Sequence, residues 1–379
     1  MEVISEINVN DIWQQNVNLL IGSGASFGLF PTLGTGMEGE SIETLGKYFE
    51  DTDKTKHKSL LFMYYYKNCI EPVITFDIEY TKLGVDFELE DDIAKMAVIE
   101  NYKILLKTLK AIASKNKSQN KTNIFTTNYD SCFADAFEEL LLEQTNLDYA
   151  LNDGAKGFRR KFLEVRNFDT SEVKYSIFGK NKHDVPQANL VHLHGSAFWK
   201  LSDSRIAVNY ENKKSNFDDD FFAEVEDELN TFEAILSNNT SNRSDFDSIA
   251  FSPVFPDIEE KFWESYKKLP IVNPTKWKFH ETVFDEHYYQ MLRLMSYELE
   301  KHDSVLVVFG FSFADEHITN LIKRSLGNKS LTMYVCCFDS ASAQYMEELF
   351  DNFNNVKLVT QDAVLDFNLF NTEVFKLPS

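Results

Sequence analysis

The chain predicts a doubly wound α/β fold, a parallel sheet with helices on both faces. Three observations carry that prediction. Seven short apolar, β-branched runs punctuate the 379 residues, and amphipathic helical patterns lie between them. Four of the runs end in polar or glycine-containing strings, where open α/β sheets gather their ligands.

Taken in order, the first run, "VNLLI" (17–21), stops at "GSGAS" (22–26). Residues 38–118 then read as helical throughout, too long for a simple crossover, and form a helical insertion. Its last part, "DDIAKMAVIENYKILLKTLKAIASK", repeats apolar residues every three to four positions. It opens on acids and closes on lysine, as the helix dipole favours. The run "TNIFTT" (122–127) follows, with a helix expected over 129–143. A second, mixed insertion spans 145–262. It contains short β-like runs, a helix with an acidic face in "FDDDFFAEVEDELNTFEAIL", and "SNNTSNRSDFDS", which reads as a flexible loop. Within and after it come the strands "NLVHLH" (189–194), "LPIVN" (269–273), "SVLVVFG" (304–310), "LTMYVCCF" (331–338) and "VKLVT" (356–360). Helices are expected over 285–301, 315–326 and 340–350. No tandem repeat interrupts this order, so one domain over 1–379 with two insertions is expected.

Composition narrows the function classes. A hydrophobic content of 43%, with 33 Phe and 16 Tyr, supplies a large core. No run of about 18 apolar residues exists to span a bilayer, and the acidic, polar start "MEVISEINVNDIWQQ" lacks the pattern of a secretory signal. The four cysteines, Cys69, Cys132, Cys336 and Cys337, have neither disulfide-framework nor CxxC metal spacing. A cytoplasmic, reduced protein is expected. A net charge of −22 argues against a broad nucleic-acid-binding face, since phosphate would be repelled. Basic clusters such as "GFRRKF" (157–162) are small, so any contact with DNA or RNA falls to another subunit.

The strand-end strings carry the candidate chemistry. In Gly22-Ser23-Gly24-Ala25-Ser26, missing side chains let a pyrophosphate reach backbone N–H groups, with Ser26 as a hydroxyl donor. A tight turn after a strand reads the same way. In "TTNYD", Asn128 suits the orientation of a water or a ribose hydroxyl without adding charge, while Asp130 fits either a helix cap or a functional acid. His192 and His194 alternate along a strand and would share a face. No nearby Cys, His or acid completes a metal set around them. His194 alone, just before Gly195-Ser196, suits a general base near neutral pH. "GFSFAD" (310–315) reads as a second backbone turn, with Gly310 and Ser312 available to a nucleotide and Asp315 near a helix start.

The ordered set of a GxGxS loop, a T-T-N-x-D string, an HGS string and a late GFS string resembles the sirtuin family. Within it the chain is similar to the prokaryotic sirtuin-like proteins of anti-phage defence, which hydrolyse NAD. The resemblance spans residues 17–315 and implies a Rossmann-like sheet. It assigns Gly22, Ser23, Gly24 and Ser26 to the pyrophosphate loop and Asn128 to the nicotinamide ribose and the attacking water. Asp130 falls to the nicotinamide carboxamide, His194 to the general base, and Gly310 and Ser312 to the late nucleotide loop. "IVNPTK" (271–276) resembles a Pro-Thr-Lys string of the same branch, without a defined role. Two departures stand out. The I-P-D-F-R-like string of deacylating sirtuins is replaced by "LFPTLG", and the four-cysteine zinc module is missing, so no metal is expected.

What the resemblance implies is an NAD glycohydrolase, with NAD as substrate, that depletes the dinucleotide in abortive infection. Constant activity would kill the host, so gating is implied, by homo-oligomerisation or by a separate partner. A HerA-type ATPase is the preferred partner and a short Argonaute the second. On this length a separate partner is expected rather than a fused sensor, and the negative charge suits a basic partner. Two alternatives stand beside it: a non-hydrolytic scaffold that senses NAD or ADP-ribose, and an NAD-dependent protein deacylase.

Overall fold

Alternation along each central strand places side chains on two faces that both need cover. Val17, Leu19 and Ile21 enter one buried cluster, while Leu20 enters another on the opposite side. Val305, Val307 and Phe309 repeat the first pattern, and Leu306 and Val308 the second. The computed structural model describes all residues except 33, 117–118, 146, 176–181, 274–281 and 378–379, together with the side chains of 282–285.

Eight strands form the main sheet: β1 (Glu2–Ile4), β2 (Asn16–Ile21), β3 (Lys121–Thr126), β4 (Ala150–Asn152), β5 (Gln187–His192), β6 (Ser304–Phe309), β7 (Thr332–Cys336) and β8 (Val356–Val359). Their order is β1-β8-β7-β6-β2-β3-β5-β4, with every neighbouring pair parallel. The chain winds outward from β2 through β3 to β5, then returns to β6 on the other side of β2. The β2–β6 boundary is therefore the topological switch point, where such sheets bind ligands.

Six of the seven expected strands belong to this sheet. The seventh does not: "LPIVN" contributes only an isolated antiparallel bridge between Ile271 and Gly195. Pro270 has no N–H for a ladder, and the Val272 N–H is taken by the His194 carbonyl at 2.8 Å. Strands β1 and β4, three residues each, are too short to show a period and were not expected. Inside the sheet, Asn18, Asn123 and Asn189 stand in register on β2, β3 and β5. Asn189 Nδ2 donates to Asn123 Oδ1 and Asn123 Nδ2 to Asn18 Oδ1, each at 2.9 Å, so three buried amides satisfy one another across the strands.

One face is covered by α4 (Glu90–Lys115) and α5 (Cys132–Glu143), the other by α8 (Thr282–Glu300), α9 (Glu316–Ser325) and α10 (Ser340–Phe350). Residues between 42 and 86 form α1 (Ile42–Asp51), α2 (Thr55–Tyr65) and α3 (Ile78–Asp86). A π-turn over Tyr66–Ile70 follows α2, where Pro72 has no N–H to return to the helix. Helices α1 and α2 share a third, aromatic core with α6 (Glu226–Leu236) and α7 (Phe255–Tyr266), while Ile78 of α3 packs against the first cluster. The polar segment 237–248 joins that core through Phe246, which is fully buried against Phe49 and Phe232. Among the described residues no helix is long and apolar enough to cross a membrane.

Candidate functional site

Four loops at the carboxyl ends of β2, β3, β5 and β6 converge on one cleft of about 410 Å³, a size that suits a small ligand. Ser23, Ser26, Asn128, Asp130, His194, Gly310 and Ser312 all line it. Gly22 and Gly24 lie behind the lining. A Cβ on Gly22 would sit 2.4 Å from the Gly310 carbonyl oxygen, and one on Gly24 would sit 2.7 Å from Gly310 Cα. Gly24 N–H donates to that same carbonyl at 3.0 Å. Gly310 itself has φ +67°, a conformation that favours glycine. The glycines thus let two loops touch across the switch point, and that contact forms the cleft floor.

Ser26 is buried and its hydroxyl is fully engaged. Its proton goes to Asp130 Oδ2 at 2.6 Å, and its oxygen meets Tyr102 Oη at 2.7 Å and Asn128 Nδ2 at 3.0 Å. A free hydroxyl donor to phosphate, as the sequence suggests for Ser26, is therefore not what the geometry presents. Asp130 serves the start of the next helix and also holds Ser26. Oδ1 accepts the Cys132 N–H at the start of α5 at 3.1 Å, while Oδ2 faces Ser26. Burial pushes its carboxyl up, against the opposing hydrogen bonds from Ser26 and Cys132.

Asn128 is held on three sides. Its N–H meets Thr126 Oγ1 at 3.1 Å, its carbonyl accepts from His192 Nδ1 at 3.0 Å, and Nδ2 donates to Ser26. The reverse amide orientation would set Oδ1 against Ser26 Oγ, whose proton Asp130 already takes. Oδ1 is buried and has no partner among the described residues, although the side chain lines the cleft. An unpaired buried acceptor carries a desolvation penalty, and a ligand hydroxyl or water relieves it.

The two histidines do not act as a pair. Strand β5 ends at His192, so the alternation that would align them stops before His194. His192 is buried edge-on to Trp199, and burial pulls its imidazole down to about 4. It stays neutral and pins Asn128. His194 turns into the cleft, with Nε2 3.0 Å from Asp315 Oδ2. Burial opposes ionisation of Asp315. The close contact with His194, the charges of His194 and His317, and the Ile318 N–H together hold it below the usual carboxylate value. Among the described residues no three His, Cys, Asp or Glu cluster as a metal site.

Several lining residues were not found from the sequence. Glu43 on α1 and Tyr65 on α2 bring the helical insertion into the cleft, but its helical pattern carried no motif. Burial and the nearby Asp315 raise the Glu43 carboxyl, with His194 opposing. Asp315 was visible only as a helix-start residue. Cys69 also lines the cleft, and burial pushes its thiol up to about 12, which leaves it protonated. Val272 and Asn273 form part of the wall. The rest of the Pro-Thr-Lys string, 274–276, lies outside the described residues.

A family model described as "SIR2-like domain" matches residues 122–359. No curated protein matches the chain.

Proposed function

Because the chain belongs to the SIR2-like domain family, we propose that it hydrolyses the nicotinamide–ribose bond of NAD, releasing nicotinamide and ADP-ribose. The single observation that carries this reading is the unpartnered Asn128 Oδ1 in the same cleft as His194. The residues present fit the dinucleotide: a glycine-spaced loop pair, a free buried acceptor and an imidazole stand around one cleft of adequate size.

Glycoside hydrolysis usually needs a carboxylic acid to protonate the leaving group. Nicotinamide leaves NAD as a neutral molecule, so the chain needs no such acid. Its tasks are to hold the ribose, stabilise developing positive charge and direct a water. Asn128 Oδ1 accepts a hydrogen bond from a ribose hydroxyl or that water. His194 takes the proton that the nucleophile gives up. The Ser26–Asp130–Tyr102 network contributes rigidity, because each hydrogen bond of Ser26 fixes the side chain that Asn128 leans on.

In this reading the activity is the NAD-depleting arm of anti-phage defence, gated by homo-oligomerisation or by a separate basic partner, a HerA-type ATPase before a short Argonaute. Tyr80, Leu83, Phe87, Leu89 and Ile93 support a partner surface, being large, apolar and exposed around the α3–α4 turn. Glu79, Asp86, Glu88 and Glu90 surround them and are also exposed, a rim that repels a second copy and attracts a basic protein.

The test is to incubate purified protein, alone and with the neighbouring gene's product, with NAD and to measure nicotinamide release. Asn128→Ala and His194→Ala are expected to lose at least about a hundredfold in kcat, the scale of one well-placed catalytic group. Full turnover in either variant overturns the assignment. Tight NAD binding with no turnover under either condition would identify a scaffold instead.

A further inference from the structure

We propose that Asp315 is the positioning residue of His194: it fixes the imidazole as the Nε2–H tautomer, so that Nδ1 is the nitrogen that accepts a proton in the cleft. The proposal rests on the reading of His194 as the base of NAD cleavage. His194 follows β5 and Asp315 follows β6, with β3 and β2 lying between those strands. Only the cleft brings the two side chains together, with Nε2 3.0 Å from Oδ2; the ring N–H is not yet aligned on that oxygen, as is common for catalytic contacts before a ligand binds.

Both ends of this contact are held by the backbone. On the Asp315 side, Oδ1 accepts the Ile318 N–H at 2.9 Å and so caps α9, while Oδ2 is turned toward His194. Two residues earlier, Phe313 adopts φ +60°, a conformation that bulky side chains avoid. It is buried against Phe350, with ring centroids 5.0 Å apart, and its carbonyl accepts from Thr319 Oγ1 at 3.0 Å. Packing thus imposes a strained turn directly before the carboxylate, as functional loops often require. On the His194 side, the carbonyl accepts the Val272 N–H. Gly195 follows at φ +80°, where a Cβ would sit 2.0 Å from the Pro270 carbonyl oxygen.

His192 provides an internal contrast. It has a backbone carbonyl for a partner, no carboxylate, and no place in the cleft lining. A carboxylate beside an imidazole orients the ring and stabilises the imidazolium that forms when it takes a proton. Glu43 is the second acid facing the pair, and its protonated form is favoured by burial and by the charge of Asp315. Asp315 is the carboxylate in direct contact with His194.

Two substitutions separate positioning from helix capping, because Ser and Asn are both good caps. Asp315→Ser keeps a cap but is too short to reach His194, and Asp315→Asn keeps the shape but removes the charge. The first readout is the tautomer of His194 in NAD-free protein, from ¹⁵N-histidine NMR with His194→Ala for assignment. The wild type is expected to show the Nε2–H form, and Asp315→Ser a mixture. The second readout is NADase kinetics over pH. Both variants are expected to lose about ten- to a hundredfold in kcat with KM within about threefold, as for loss of base orientation, and Asp315→Glu is expected to recover part of it. An unchanged tautomer in Asp315→Ser, or an unchanged kcat and pH profile in both variants, overturns the proposal. The expected tautomer shift in a protein that does not cleave NAD would overturn the proposed reaction and leave the positioning role intact.

Discussion

Gly22 and Gly310 meet across the boundary between β2 and β6 so closely that a Cβ on Gly22 would lie 2.4 Å from the Gly310 carbonyl oxygen. Gly22 N–H is committed to the Phe309 carbonyl at 3.0 Å, so the loop cannot retreat without losing a sheet-like bond. Gly22→Ala is therefore expected to destabilise the fold by about 1–3 kcal/mol, the range for overpacked sites. The measurement is denaturant unfolding followed by circular dichroism. Any NAD affinity is expected to fall with it, since the same contact builds the cleft floor.

His192 gives a pH dependence with a defined sign. Burial lowers its folded value to about 4 from an ordinary 6.5. Between those values the unfolded chain binds a proton that the folded chain does not, so stability falls as pH drops through that window. The expected slope from this group is about 1.4 kcal/mol per pH unit. His192→Gln is expected to remove that slope. Unfolding free energies of the two proteins between pH 4.5 and 7 isolate the contribution by difference, and parallel curves would refute it.

Cys69 lines the cleft without being reactive. With its thiol pushed up to about 12, the thiolate that alkylating agents attack is a negligible fraction near pH 8. Folded protein is expected to resist iodoacetamide at Cys69, by mass spectrometry of tryptic peptides. Cys69→Ala is expected to keep its NAD-linked activity. Rapid labelling in the native state would show that this side of the cleft opens.

Much of the sheet was legible in the sequence because buried parallel strands announce themselves as β-branched runs, and the ends of four of them located the cleft. Residues 269–273 failed for a physical reason: an apolar run with proline at its second position looks like a strand but cannot enter a ladder, and it serves instead as a clamp on His194. The reading of Ser26 as a phosphate donor failed because the partner that takes its proton, Asp130, is more than a hundred residues away. The pairing of His194 with Asp315 was hidden in the same way, since each residue has a sufficient local explanation. Glu43 had no signal at all, because a glutamate in the first turn of a helix is ordinary dipole chemistry.

Asn123 tests whether the amide ladder stabilises the sheet beneath the cleft. Its Nδ2 donates to Asn18 Oδ1 and its Oδ1 accepts from Asn189 Nδ2, so truncation breaks both bonds at once. Asn189 Nδ2 keeps a longer bond to the Phe168 carbonyl at 3.3 Å, whereas Asn18 Oδ1 loses the donor that Asn123 gave it. Leaving a buried polar atom unpaired costs about 1–3 kcal/mol. Asn123→Ala is expected to lose about 2–4 kcal/mol once the cavity left by the amide is included. Because β3 leads directly into Asn128, the variant is expected to lose turnover along with stability. The double variant Asn18→Ala/Asn123→Ala removes the stranded acceptor as well. It is expected to fall short of the sum of the two single losses, and strict additivity in a denaturation cycle would mean that the two amides do not interact.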